Sequence, residues 1–110
     1  MKFSANQKDI QTSLNYCQGV IEKRSTLPIL SNVLLNASEN ELTITATDLD
    51  LIFIHKIKDI QVKETGKTTT SSSIMYDIVR KISSDKQINF SIISDAKLKL
   101  ESKNSIFNLN

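Results

Sequence analysis

The sequence predicts an α+β domain in which two helices pack on one side of antiparallel sheets. Three observations carry this expectation. Apolar residues recur at spacings of three and four in two stretches, Ile10 to Ile21 and Ile74 to Ile82, the period of a helix with one buried face. Elsewhere apolar and polar residues alternate, as in Leu42-Thr43-Ile44-Thr45-Ala46-Thr47, the period of a strand buried on one face. Both halves, 1–60 and 67–109, run in the order strand, helix, strands, which makes a pseudo-twofold repeat. Amphipathic helices need an apolar surface to cover, and one-sided antiparallel strands provide it.

Taken in order, Met1, Phe3 and Ala5 alternate with Lys2 and Ser4, which predicts a short half-buried strand. Asn6 is placed to cap a helix carrying Ile10, Leu14, Cys17 and Ile21, with Gly19 near its end. The segment Lys23-Arg24-Ser25-Thr26-Leu27-Pro28 holds the one proline of the chain. Pro28 fixes φ where the backbone enters an apolar run, Ile29 to Ala37, so Thr26 to Leu30 starts a strand. Ser38-Glu39-Asn40-Glu41 supplies turn chemistry. A β-rich run spans Leu49 to Ile60, with apolar residues on both parities. Glu64-Thr65-Gly66-Lys67 reads as a turn and Thr68 to Ser72 as a short strand. Ser72 or Ser73 can cap the second helix, whose stripe is Ile74, Met75, Ile78, Val79 and Ile82. Gln87 to Ile93, Ala96 to Glu101 and Ser105 to Leu109 read as three closing strands.

A chain of 110 residues with 39% hydrophobic and 24% charged residues fits one folded domain. No window approaches the roughly 18 to 20 apolar residues of a membrane span, and no signal-peptide apolar region follows Met1. The expectation is a cytoplasmic protein without a membrane partner. Cys17 has no second thiol to pair with, which excludes an internal disulfide and a zinc knuckle. A net charge of +2 does not by itself announce a nucleic-acid binder.

The residues that catch the eye for chemistry mostly have plainer uses. Asp48 and Asp50 share a strand face, yet a metal site needs further ligands and no glycine-rich phosphate loop accompanies them. They read as a strand end and turn. His55 lies in an apolar stretch with no nucleophile paired to it by spacing, so it reads as a packed or partly exposed strand residue. Cys17 falls on the apolar stripe of its helix and reads as a buried thiol. Asn36-Ala37-Ser38 matches the glycosylation pattern without a secretion signal. No nucleophile, base and oxyanion set assembles, and the expectation is a non-enzyme without cofactor or metal.

Met1-Lys2-Phe3, the helix after it, RSTLPILSNVLL at 24–35 and LTITATDLDL at 42–51 closely resemble the N-terminal domain of the bacterial β sliding clamp, the DNA polymerase III β subunit. The resemblance covers Met1 to Asn110 and implies a DNA-clamp (processivity-fold) domain, the first of three in a subunit whose second and third domains are absent from this chain. It implies a processivity factor: two subunits join head to tail in a ring that encircles duplex DNA, independent of sequence, and tethers the replicative polymerase. Polymerase and clamp loader would be held through the absent domains. Polar helix faces would look toward the DNA, with Lys8, Gln11, Thr12, Asn15 and Gln18 from the first helix and Tyr76, Arg80 and Lys81 from the second. Such groups meet phosphates directly or through water.

Arg24 matches a position where the family has a DNA-contacting arginine, and Lys23 stands beside it. The family often carries a basic residue before the second helix, where this chain has Ser73, leaving a hydrogen bond or a cap in place of an ionic contact. The resemblance also implies that the last strands form a subunit edge, through Lys97, Lys99, Lys103, Ile106 and Phe107. Family arginines near that edge are missing here, so its electrostatic part is in question. A different class remains alongside: a free-standing protein-interaction module that uses an exposed sheet edge and makes no DNA contact.

Overall fold

Two strand-helix-strands units exchange their first strands to build the molecule. The computed structural model describes residues 1–21, 32–47, 51–94 and 97–109. The first unit runs β1 (Lys2–Asn6), α1 (Gln7–Ile21), β2 (Asn32–Ser38), β3 (Glu41–Thr47), β4 (Ile52–Ile57) and β5 (Gln61–Glu64). The second runs β6 (Gly66–Ser71), α2 (Ser72–Arg80), β7 (Gln87–Ser94), β8 (Lys97–Ser102) and β9 (Ser105–Leu109). One sheet has the order β5-β1-β7-β8-β9 and the other β4-β3-β2-β6, with every pairing antiparallel. Thus β1 lies among the strands of the second unit and β6 among those of the first. Neither sheet can assemble from one half of the chain, which couples the two repeats.

Alternation places the core. Phe3 and Ala5 of β1, Val33, Leu35 and Ala37 of β2, and Leu42, Ile44 and Ala46 of β3 are buried in one cluster with Ile88, Phe90, Leu98 and Leu100. Phe3 stacks on Phe90 across the β1–β7 pairing, with ring centroids 4.6 Å apart. From α1, Ile10, Leu14 and Cys17 enter this cluster, and from α2, Met75 and Val79. The β2–β3 hairpin closes with Ser38 paired to Glu41, and its two central residues, Glu39 and Asn40, have φ of 52° and 62°. That left-handed pair gives the turn a twist matching its strands.

Several expectations need correction. The run from Leu49 to Ile60 breaks at Asp59, whose φ is 60°, and a separate strand, β5, follows at Gln61–Glu64, where no strand was expected. Within β5 only Val62 packs against the core, so its pattern is too weak to read. Gly66 begins β6 and does not sit in a turn. Ser71, before the two serines expected to cap, accepts the Ile74 amide at 3.3 Å as N-cap of α2. The helix is nine residues long, so Ile82 is buried beyond its end, while Ile74 is 54% exposed and off the apolar stripe. Gly19 lies two residues before the end of α1 at Ile21, as its position in the sequence indicates. The Ile21 side chain, Thr26 to Leu30 with Pro28, and Asp48 and Asp50 lie outside the described residues.

At Gly66 the backbone comes close to the chain start: a Cβ there would sit 2.9 Å from Met1 Cβ and 3.3 Å from Met1 Cα. Gly66→Ala is therefore expected to cost about 1–3 kcal/mol through overpacking, read as a lowered urea midpoint. An unchanged midpoint would mean that Met1 gives way freely.

Candidate nucleic-acid interface

Helices α1 and α2 form an antiparallel pair stitched by side chains. Buried Gln7, at the start of α1, donates to the Val79 carbonyl near the end of α2 at 2.8 Å. At the other end, buried Ser72 of α2 donates to Gln18 Oε1 of α1 at 3.1 Å. Between them Tyr76 donates its hydroxyl to Asn15 Oδ1 at 3.3 Å, and Gln7 also donates to Gln11 Oε1 at 2.7 Å. Spacings of four, four and three from Gln7 to Gln18 keep these amides on one line of α1. Asn15 and Gln18, expected to face DNA, thus hold helix to helix with part of their hydrogen-bonding capacity, while Gln11 accepts from Gln7 within α1. Above this seam runs a groove of about 380 Å³ lined in part by Lys8, Thr12, Tyr16 and Tyr76.

The antiparallel arrangement sorts the charges. Lys8, near the α1 start, and Arg80 and Lys81, at the α2 end, fall at the same end of the pair. Lys8 is exposed and enters no ion pair among the described residues. Lys81 caps α2 with its backbone N–H and leaves its side chain exposed. Arg80 is engaged: its Nη2 lies 2.9 Å from Asp77 Oδ1, and its guanidinium sits 5.0 Å from the centre of the Tyr76 ring. Ser73 is exposed at the opposite end, with its hydroxyl 3.5 Å from that of Ser71. Lys23 and Arg24 lie outside the described residues.

His55 is held between α1 and neighbouring aromatic rings. Its Nδ1 is 2.9 Å from Ser13 Oγ, and Ser13 is fully buried against the strand. Phe53 stacks beside the imidazole and Tyr16 meets it edge-on, with centroids 6.1 and 5.9 Å away. This is a packed histidine locking β4 to α1, as its sequence surroundings indicate. Among the described residues no three His, Cys, Asp or Glu side chains cluster to hold a metal, and no helix is long and apolar enough to cross a membrane.

At the far edge, β9 is the free margin of the five-stranded sheet. Ile106 points outward and is 58% exposed, whereas Phe107 turns to the core side and packs against it. Lys99 sits 3.7 Å from Glu101, and Lys97 and Lys103 are exposed. Lys103 takes a φ of 50° in the turn between β8 and β9.

Comparison with known proteins decides what such a domain is. The family model described as the DNA polymerase III beta subunit, N-terminal domain, matches residues 1–110. The chain belongs to this family. Among curated relatives, the beta sliding clamp of Caulobacter vibrioides is 34% identical over 110 residues, covering 99% of this chain and 29% of the relative. That of Vibrio harveyi is 34% identical over 109 residues, covering 99% of this chain and 74% of the relative. A solved Caulobacter crescentus beta sliding clamp superposes with a TM-score of 0.91 at 35% identity, over 100% of this chain and 29% of the other. The Pseudomonas aeruginosa DNA polymerase III beta subunit gives 0.90 at 29% identity, over 99% of this chain and 29% of the other. The chain thus spans about three-tenths of the length of the first relatives it matches, and its two helices on two antiparallel sheets have the fold of a sliding-clamp domain.

Two members of the interface escaped the sequence reading. Asp77 was legible, because an acid three residues before Arg80 falls on the same helix face. Gln7 was not, since nothing in its spacing distinguishes a buried glutamine from a solvated one.

Proposed function

We propose that residues 1–110 act as the first of three like domains in a processivity clamp, two subunits of which join head to tail around duplex DNA and tether the replicative polymerase. The observation that carries this reading is the antiparallel helix pair, which gathers Lys8, Arg80 and Lys81 at one end of a hydroxyl- and amide-rich surface in a chain of the sliding-clamp family. Such a surface suits phosphates without reading bases, and its affinity falls with salt. Ser73 adds to it from the other end of α2, and Lys23 and Arg24, which follow α1 in the sequence, are its further cations.

The β9 edge, with Ile106 outermost and Lys97, Lys99 and Lys103 near it, takes the neighbouring subunit by strand addition, while Phe107 supports the edge from within. Polymerase and clamp loader are engaged through domains outside this chain. The role is non-catalytic, and its place is the cytoplasm, where bacterial DNA is copied.

Salt-dependent binding of the full-length protein to linear duplex DNA tests the reading. Arg24→Ala is expected to weaken binding equally across sequences and to reduce the slope of log K against log salt by roughly one. An unchanged slope would make Arg24 a solvated loop residue.

A further inference from the structure

We infer that Asp77 is a positioning residue that limits how tightly the helix pair holds DNA, by keeping the Arg80 guanidinium on a carboxylate and away from phosphate. The inference rests on the clamp reading and deepens it. Asp77 and Arg80 stand one turn apart on the exposed face of α2, joined at 2.9 Å. The guanidinium is held from a second side by the Tyr76 ring, 5.0 Å away. Tyr76 in turn is fixed to Asn15 of α1 through its hydroxyl. Arg80 is therefore fastened between an acid and a ring that itself bridges the helices, and it does not swing freely into the groove.

The pair does little for stability. Its side chains are 53% and 59% exposed, and ion pairs in such surroundings contribute little to folding. Its consequence is electrostatic. On the described part of the helix pair, exposed Lys8, Arg80 and Lys81 stand against exposed Asp9 and Asp77. A phosphate that approaches Arg80 either displaces the Asp77 carboxylate or settles beside a like charge. Either way the gain per contact shrinks, and fewer counterions are released for each cation on the helix pair. A ring that must travel along DNA benefits from contacts that form and break readily.

The test compares Asp77→Asn, Arg80→Ala and the double variant in the full-length protein, by salt titration on linear duplex DNA. Asn keeps the shape of Asp77 and removes its charge. Asp77→Asn is expected to tighten binding by about 5-fold at low salt and to steepen the salt slope by up to roughly one. In the Arg80→Ala background the same change should lose most of that gain, because the liberated partner is gone. Asp77→Glu, which restores the carboxylate, should return the slope to the wild-type value. A full gain in the Arg80→Ala background would overturn the positioning role and leave plain repulsion. Unchanged binding by Asp77→Asn would overturn the inference while the clamp reading stands, whereas a wild-type protein that ignores duplex DNA at low salt would overturn both.

Discussion

Phe90→Ala is expected to lower the stability of the domain by about 3–5 kcal/mol. Phe90 is 1% exposed and lies on β7, directly opposite Phe3 of β1, with the two rings stacked 9° from parallel. Removing one ring leaves a cavity and strips the other of its main contact. The position makes the loss larger than its area implies, because β1 is the strand that the first repeat lends to the second. Without the stacked pair the lent strand keeps its backbone ladder and loses much of its anchorage. Small domains hold only about 5–15 kcal/mol in total, so the variant should unfold at a much lower urea concentration. Phe90→Leu, which fills most of the space, should recover more than half of the loss. A loss under about 1 kcal/mol would show that the halves are held together elsewhere.

That strand exchange marks where sequence reading stops. The alternation in Leu42 to Thr47 and the stripe Ile10, Leu14, Cys17 report which face of an element is buried, and those faces are buried in the structure. They do not report which partner covers them, since a strand with one apolar face packs equally well in either of two sheets. The order strand, helix, strands was legible twice; that β1 and β6 trade places was not. Short elements with few core residues fare worst. β5 contributes only the half-buried Val62 to the core, and its existence follows from pairing with β1.

The site divides along similar lines. Lys8, Arg80 and Lys81 are recognisable as cations on helices, but their meeting at one end depends on the helices being antiparallel, which Gln7 and Ser72 enforce through bonds more than fifty residues apart in sequence. Ser73 and Ser72 look alike in a row of three serines, yet one is exposed and the other is buried against Gln18. A shift of 100° per residue around the helix separates them.

Cys17 should be almost inert toward alkylating reagents in the folded protein and should make stability fall at alkaline pH. It lies fully buried on the core line of α1, and burial pushes its thiol from 9.0 up to about 11. The reactive species is the thiolate. At about pH 8 the upward shift alone lowers the thiolate fraction by about 100-fold relative to the unfolded chain, and enclosure slows attack further. Below about pH 9 the thiol is protonated in both states, so its stabilising contribution is fully present. As pH rises toward about 11 the unfolded chain releases the proton and the folded chain retains it, so the unfolded state gains by about 2–3 kcal/mol. Comparing wild type with Cys17→Ala across that window cancels the lysines and tyrosines common to both, and the difference should follow this decline. Rapid alkylation of the wild type without denaturant would mean that α1 lifts from the sheets often enough to expose its buried face. The helix pair could not then gather Lys8, Arg80 and Lys81 at one end.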